Sequence, residues 1–172
     1  MDKRTFITAE LWILSWNASV QRANIYADSG VSESRKVFRD SVIDYAESYL
    51  IPVYKDPVNE NRHLQSILSL SDFGTQSGHL LLTSEGYRIG IAQKLLNLQL
   101  KYLWCLSLIP EPPHCPIDRI ILGKTALKDA MNWTEISTIE DYQRAIDAVR
   151  TLADSRGLSI AEWELQVYDR RL

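Results

Sequence analysis

Gly90-Ile91-Ala92-Gln93-Lys94-Leu95-Leu96-Asn97-Leu98-Gln99-Leu100-Lys101-Tyr102-Leu103-Trp104 is the run that decides the fold. It is too apolar for a helix lying on a surface, and its few polar members fall at helical spacing. With Thr83 or Ser84 as cap and Glu85 in the first turn, the pattern predicts a central helix from Ser84 to Leu108. Gly86 and Gly90 weaken its opening by roughly 1 kcal/mol each relative to alanine, a cost for which close backbone approach is one reason among others. Pro110-Glu111-Pro112-Pro113 ends the helix, because proline cannot donate a helical hydrogen bond. The most apolar part, Leu95 to Ile109, contains Asn97, Gln99, Lys101 and Ser107, so it is too short and too polar to cross a bilayer.

Outward from this helix the pattern remains helical. Leu11, Ile13, Leu14, Ala18 and Ile25 predict a helix from Thr8 to about Ala27, stopped by Asp28-Ser29-Gly30. Val37, Phe38, Val42, Tyr45 and Tyr49 keep i, i+4 spacing up to Pro52, with Ser32 or Ser34 as cap. A shorter third helix carries His63, Ile67 and Leu68, and Ser71 to Gly78 reads as a loop. Ile117 to Ala130 is a short mixed segment. Thr138-Ile139-Glu140-Asp141 opens a helix closing at Arg156-Gly157, and Ser159-Ile160-Ala161-Glu162 is a capping box before a last helix. No strict alternation and no repeat occurs. The expectation is all-α: one compact multi-helix domain, residues 1–172, around a buried central helix.

Composition narrows the function classes. The chain has 172 residues, 45% of them hydrophobic, enough for one domain with a real core. A formal charge of −3 argues against extensive non-specific nucleic-acid binding but not against a local basic patch. Cys105 and Cys115 are too few for a disulfide framework, and the start has no apolar leader, so a reducing cytoplasm is expected. His114, Cys115 and Cys105 do not make a zinc set, since adjacent ligands reach one tetrahedral ion poorly and no second pair exists. No metal and no cofactor are expected.

The candidate chemistry lies in Lys94 and Asp118. Lys94, Asn97 and Lys101 share a stripe of the central helix, either its one solvated edge or the floor of a pocket. Burial disfavours an ammonium, and a carboxylate can accept the released proton, which together make an amine nucleophile. Asp118, one residue before Arg119-Ile120-Ile121, is placed to cap a short helix, and a cap fixes a carboxylate in direction. The five tryptophans fall within helical patterns, as core or pocket walls.

Gly90-Ile91-Ala92-Gln93-Lys94, an apolar helix, and then Cys115-Pro116-Ile117-Asp118-Arg119-Ile120-Ile121 resemble the active-site segment of helix-hairpin-helix DNA glycosylases, most of all the 8-oxoguanine DNA glycosylase branch. The resemblance implies that Lys94 attacks the sugar C1′ to form a Schiff base. It implies that Asp118 assists base departure, and that Gly90 belongs to a hairpin approaching phosphate. It places Arg88, Gln93, Arg119 and Lys124 on a DNA-facing surface, and a DNA site on this acidic chain requires Arg88, Lys94, Arg119, Lys124 and Lys128 to converge on one concave face. A flipped base would meet a pocket built from Asn97, Lys101, Trp104 and Trp133. Ala92 stands where the family has a second hairpin glycine, and Glu111-Pro112-Pro113-His114 lengthens the interval to the aspartate. The expected function is therefore base excision from DNA, with or without strand cleavage through the lysine imine. The alternative is a non-catalytic helical interaction protein keeping the fold, in a genome-defence or mobile-element setting.

Overall fold

A computed structural model describes residues 2–27 and 32–168, and among these every regular element is helical. α1 (Lys3–Val20) starts at Asp2, whose carboxylate accepts from the Thr5 N–H, so this helix begins earlier and ends earlier than its apolar pattern suggests. The Asp28-Ser29-Gly30 stop lies outside the described residues. α2 (Ser32–Tyr45) runs into a π-helical turn and then a 3-10 turn holding Pro52. α3 (Glu60–Ser77) is longer than its sequence pattern, because the segment expected as a loop is helical. The Ser71 hydroxyl donates to the Tyr87 carbonyl, and a Cβ on Gly74 would sit 2.5 Å from the Tyr87 ring. Tertiary packing against Tyr87 overrides the turn-like composition there.

α4 (Ile89–Cys105) is the expected central helix, and its residues from Ile89 through Lys101 are all buried. It starts later than expected. Thr83 and Ser84 do not cap it, and Glu85 ion-pairs with Arg88 instead. Gly86 turns the chain at φ +65°, a backbone conformation that costs other residues about 1–2 kcal/mol. α1 and α3 pack along α4, and the latter also touches the 3-10 turn at Trp133–Glu135 and α6 (Ile139–Asp154). α5 (Arg119–Leu122) is a single turn, and α7 (Ile160–Val167) has the capping box expected at Ser159 and Glu162. One cluster of buried apolar side chains, from Trp12 to Trp163, joins these helices. No helix of the described residues is long and apolar enough to cross a membrane.

Candidate functional site

The start of α4 is clamped from two sides. Gly90 donates its N–H to the Ile136 carbonyl at 2.8 Å, and a Cβ there would lie 1.9 Å from the Trp133 carbonyl oxygen. Only glycine lets the 3-10 turn approach this closely. On the other side the buried Gln93 carboxamide donates to the Ile117 carbonyl at 2.7 Å and accepts from the Ile117 N–H at 3.1 Å. A side chain thus pairs with the extended segment before α5 as a neighbouring strand would.

That pairing brings Lys94 and Asp118 together. Asp118 Oδ1 accepts from the Ile120 and Ile121 N–H groups at 2.9 and 3.0 Å, capping α5. Its Oδ2 lies 3.5 Å from Lys94 Nζ, and both side chains are about nine-tenths buried. The amine also sits 4.1 Å from the centre of the Trp133 ring, a cation–π distance. Both ends of the pair open into a cavity of about 360 Å³. Leu14 and Asn17 of α1 and Gln21 just beyond its end line the cavity, Tyr168 lines it as well, and the cations Arg22 and Arg119 also border it. Arg119 and Trp133 separate it from a second hollow of about 430 Å³, bordered by Lys128, Asp129 and Glu135.

Other expected site residues fall elsewhere, and the reason is burial. Asn97 is fully buried and donates to the Cys115 carbonyl and the Tyr142 hydroxyl, so it holds the core instead of lining a pocket. Gln93 is likewise enclosed and cannot reach a DNA phosphate from this position. The Arg88 guanidinium donates to the Thr134 and Ala23 carbonyls and pairs with Glu85, tying three segments internally. The Gly90 N–H, already bonded to Ile136, is not available to a phosphate. Trp104 is half-buried and borders neither hollow, whereas Trp133 borders both. Lys124 is exposed but lines neither hollow.

Lys101 has a partner that sequence reading missed. Its Nζ lies 2.7 Å from Glu164 Oε2 and 4.5 Å from the Tyr168 ring centre. Burial pushes the Glu164 carboxyl up, against the pull of Lys101, and Asp118 adds to the upward push. Glu164 stands four residues after the buried Ile160, so it was legible as an acid on an apolar helix face. The Leu14, Asn17 and Gln21 lining carried no comparable signal, since more than seventy residues of chain separate it from Lys94.

A second polar group runs behind the site. The Tyr54 hydroxyl meets His63 Nδ1 at 2.7 Å, and the His63 ring packs edge-on against His114, their centres 4.7 Å apart. His114 Nδ1 meets the Tyr142 hydroxyl at 2.9 Å, and its Nε2 meets Glu60 at 3.1 Å. Burial pulls the His114 imidazole down to about 4 despite Glu60, and pulls His63 well below its usual range.

No protein-family model, curated protein or solved structure matches this chain. The chemistry of the site therefore rests on its own residues. Among the described residues no group of His, Cys, Asp and Glu converges as a metal ion would require.

Proposed function

We propose that the chain excises a damaged base from DNA, with Lys94 as nucleophile and Asp118 as proton carrier. The observation that carries this reading is the amine of a lysine side chain about nine-tenths buried, 3.5 Å from a direction-fixed carboxylate, with both residues lining one cavity. Once its ammonium has given a proton to solvent, the Lys94 amine attacks the sugar C1′ as the glycosidic C–N bond breaks, and the bonding pair leaves with the base. Asp118 takes the surplus proton of the new C–N bond and passes it to the departing base. Ring opening of the sugar, with O4′ taking a proton from solvent, then leaves an iminium on Lys94. Loss of a C2′ proton to the Asp118 carboxylate lets the 3′ phosphate depart with its C–O bonding pair. Arg22 and Arg119 border the same cavity, and this local positive charge supports contact with phosphates despite the acidic total. The Trp133 ring offers a flat apolar wall.

Borohydride trapping on duplexes carrying abasic or oxidised sites tests the proposal. A covalent protein–DNA adduct is expected from the wild type and none from Lys94→Gln. No adduct from the wild type on any lesion would count decisively against lysine chemistry.

A second reading, a non-catalytic interaction protein, is favoured by one observation. The Gly90 N–H and the side chains of Arg88 and Gln93 are all engaged internally, so a hairpin grip on phosphate is missing. Under that reading Lys94→Gln binds DNA, or fails to bind it, just as the wild type does, and neither traps.

A further inference from the structure

The three most exposed large apolar side chains of the described residues are Leu80, Tyr49 and Val37, at 86, 67 and 62%. They are not scattered. All three border a pair of adjoining hollows, of roughly 600 and 370 Å³, on the outer side of α2 where it packs on α3. Val37 and Ser41 border both hollows, so the two form one groove, and none of its lining residues belongs to the Lys94 cavity. Val37, Ser41, Tyr45 and Tyr49 recur every four residues along one helical edge. Tyr45 stacks on Phe73 of α3 at 4.1 Å between ring centres, which gives the groove a rigid aromatic floor. Exposed apolar side chains gathered around one groove mark an interaction site more often than isolated surface residues do.

Charge selects the occupant. The lining contains the carboxylates Glu33, Asp40 and Asp44, with no lysine or arginine and one histidine, His79. Arg39 pairs with Asp40 at 2.8 Å from the flank but does not border the groove. A second copy docking about a two-fold axis would set these carboxylates against themselves, and anionic lipid would be repelled. From Glu33 to Tyr49 the helical edge is about 24 Å long, matching roughly four turns of an α-helix. We propose that this groove binds an amphipathic helix of a partner protein, its apolar stripe on the Val37–Tyr49 edge and its lysine or arginine flanks facing Glu33, Asp40 and Asp44. This inference stands independently of the chemistry assigned to Lys94.

Three fluorescein-labelled 16-residue peptides test it by anisotropy against the full chain: an amphipathic helix with leucines at i, i+4 spacing and lysine flanks, the same helix with glutamate flanks, and a scramble of the lysine peptide. The lysine helix is expected to bind at least roughly tenfold tighter than the glutamate helix at low salt, with that gap narrowing as salt rises. The scramble should not bind. Val37→Asp, at an exposed position, should abolish binding without shifting the melting temperature. Absence of binding by the lysine helix up to about 1 mM would overturn the proposal. So would equal binding of all three peptides, binding unaffected by Val37→Asp, or a concentration-dependent dimer that Val37→Asp dissolves.

Discussion

Gln93 holds Ile117 by both of its backbone polar groups, and the next residue along each segment, Lys94 and Asp118, faces the other across 3.5 Å. The pairing is adjacent in sequence on both sides, so any slip of the Asp118 segment along α4 separates the amine from the acid. Gln93 is thus a positioning residue for the pair. Gln93→Leu leaves the Ile117 N–H and carbonyl buried without these partners, which costs about 2–6 kcal/mol for two such groups. Urea denaturation should show this loss.

Asp118 has two separable duties, one for each oxygen. Asp118→Asn keeps an acceptor for Ile120 and Ile121, whereas Asp118→Ala removes the cap at a cost of about 1 kcal/mol. Both variants should lose borohydride trapping, and thermal melts should rank the alanine variant below the asparagine one. Equal melting of the two would show that the cap contributes nothing.

The direct coupling of Lys94 and Asp118 is measurable. A double-mutant cycle with Lys94→Met and Asp118→Asn should give an interaction energy of about 1 kcal/mol or more, because both groups are largely withdrawn from water. A coupling indistinguishable from zero would mean that solvent in the cavity screens the two charges from each other.

Glycine substitutions separate crowding from backbone strain. Gly90→Ala drives a methyl into the Trp133 carbonyl and should cost more than about 3 kcal/mol or prevent folding. Gly157→Ala meets no atom within 4 Å and carries only the penalty of φ +65°, about 1–2 kcal/mol. Circular dichroism melts of the two variants should therefore differ widely.

Stability should fall as pH falls from 6.5 toward about 4. His114 is held neutral in the fold down to about 4, with Glu60 and His63 of α3, Arg150 and Asp147 of α6, and the Tyr142 hydroxyl around it. The unfolded chain takes up a proton on this imidazole below pH 6.5 that the folded chain refuses, so acid favours unfolding, by on the order of 3 kcal/mol in full. His63 works in the same direction. Urea midpoints at pH 7 and pH 5 should show the decline, and His114→Gln, which does not titrate there, should reduce it.

Much of the fold was legible because burial leaves its mark on local pattern. The run from Gly90 to Trp104 announces an enclosed helix, Thr138 and Ser159 announce helix starts, and Asp118 announces a cap, each through residues within a few positions of one another. Those features depend on helical periodicity and on side chains reaching their own backbone, which sequence order alone determines. The choice of partners for buried polar groups is a different matter. Gln93, Asn97 and Arg88 read as well as outward-facing site residues as they do as internal struts, and only the packed chain turns them inward. The Asn17 and Gln21 wall, the Glu164 partner of Lys101 and the turn at Trp133 come from segments distant in sequence. A buried polar atom must bond to whatever the fold brings within about 3 Å, and which atom that is depends on how the helices cross. Sequence therefore determined most of the helices and singled out Lys94 and Asp118, while tertiary packing made residues 71–77 helical and brought those two side chains into one cavity.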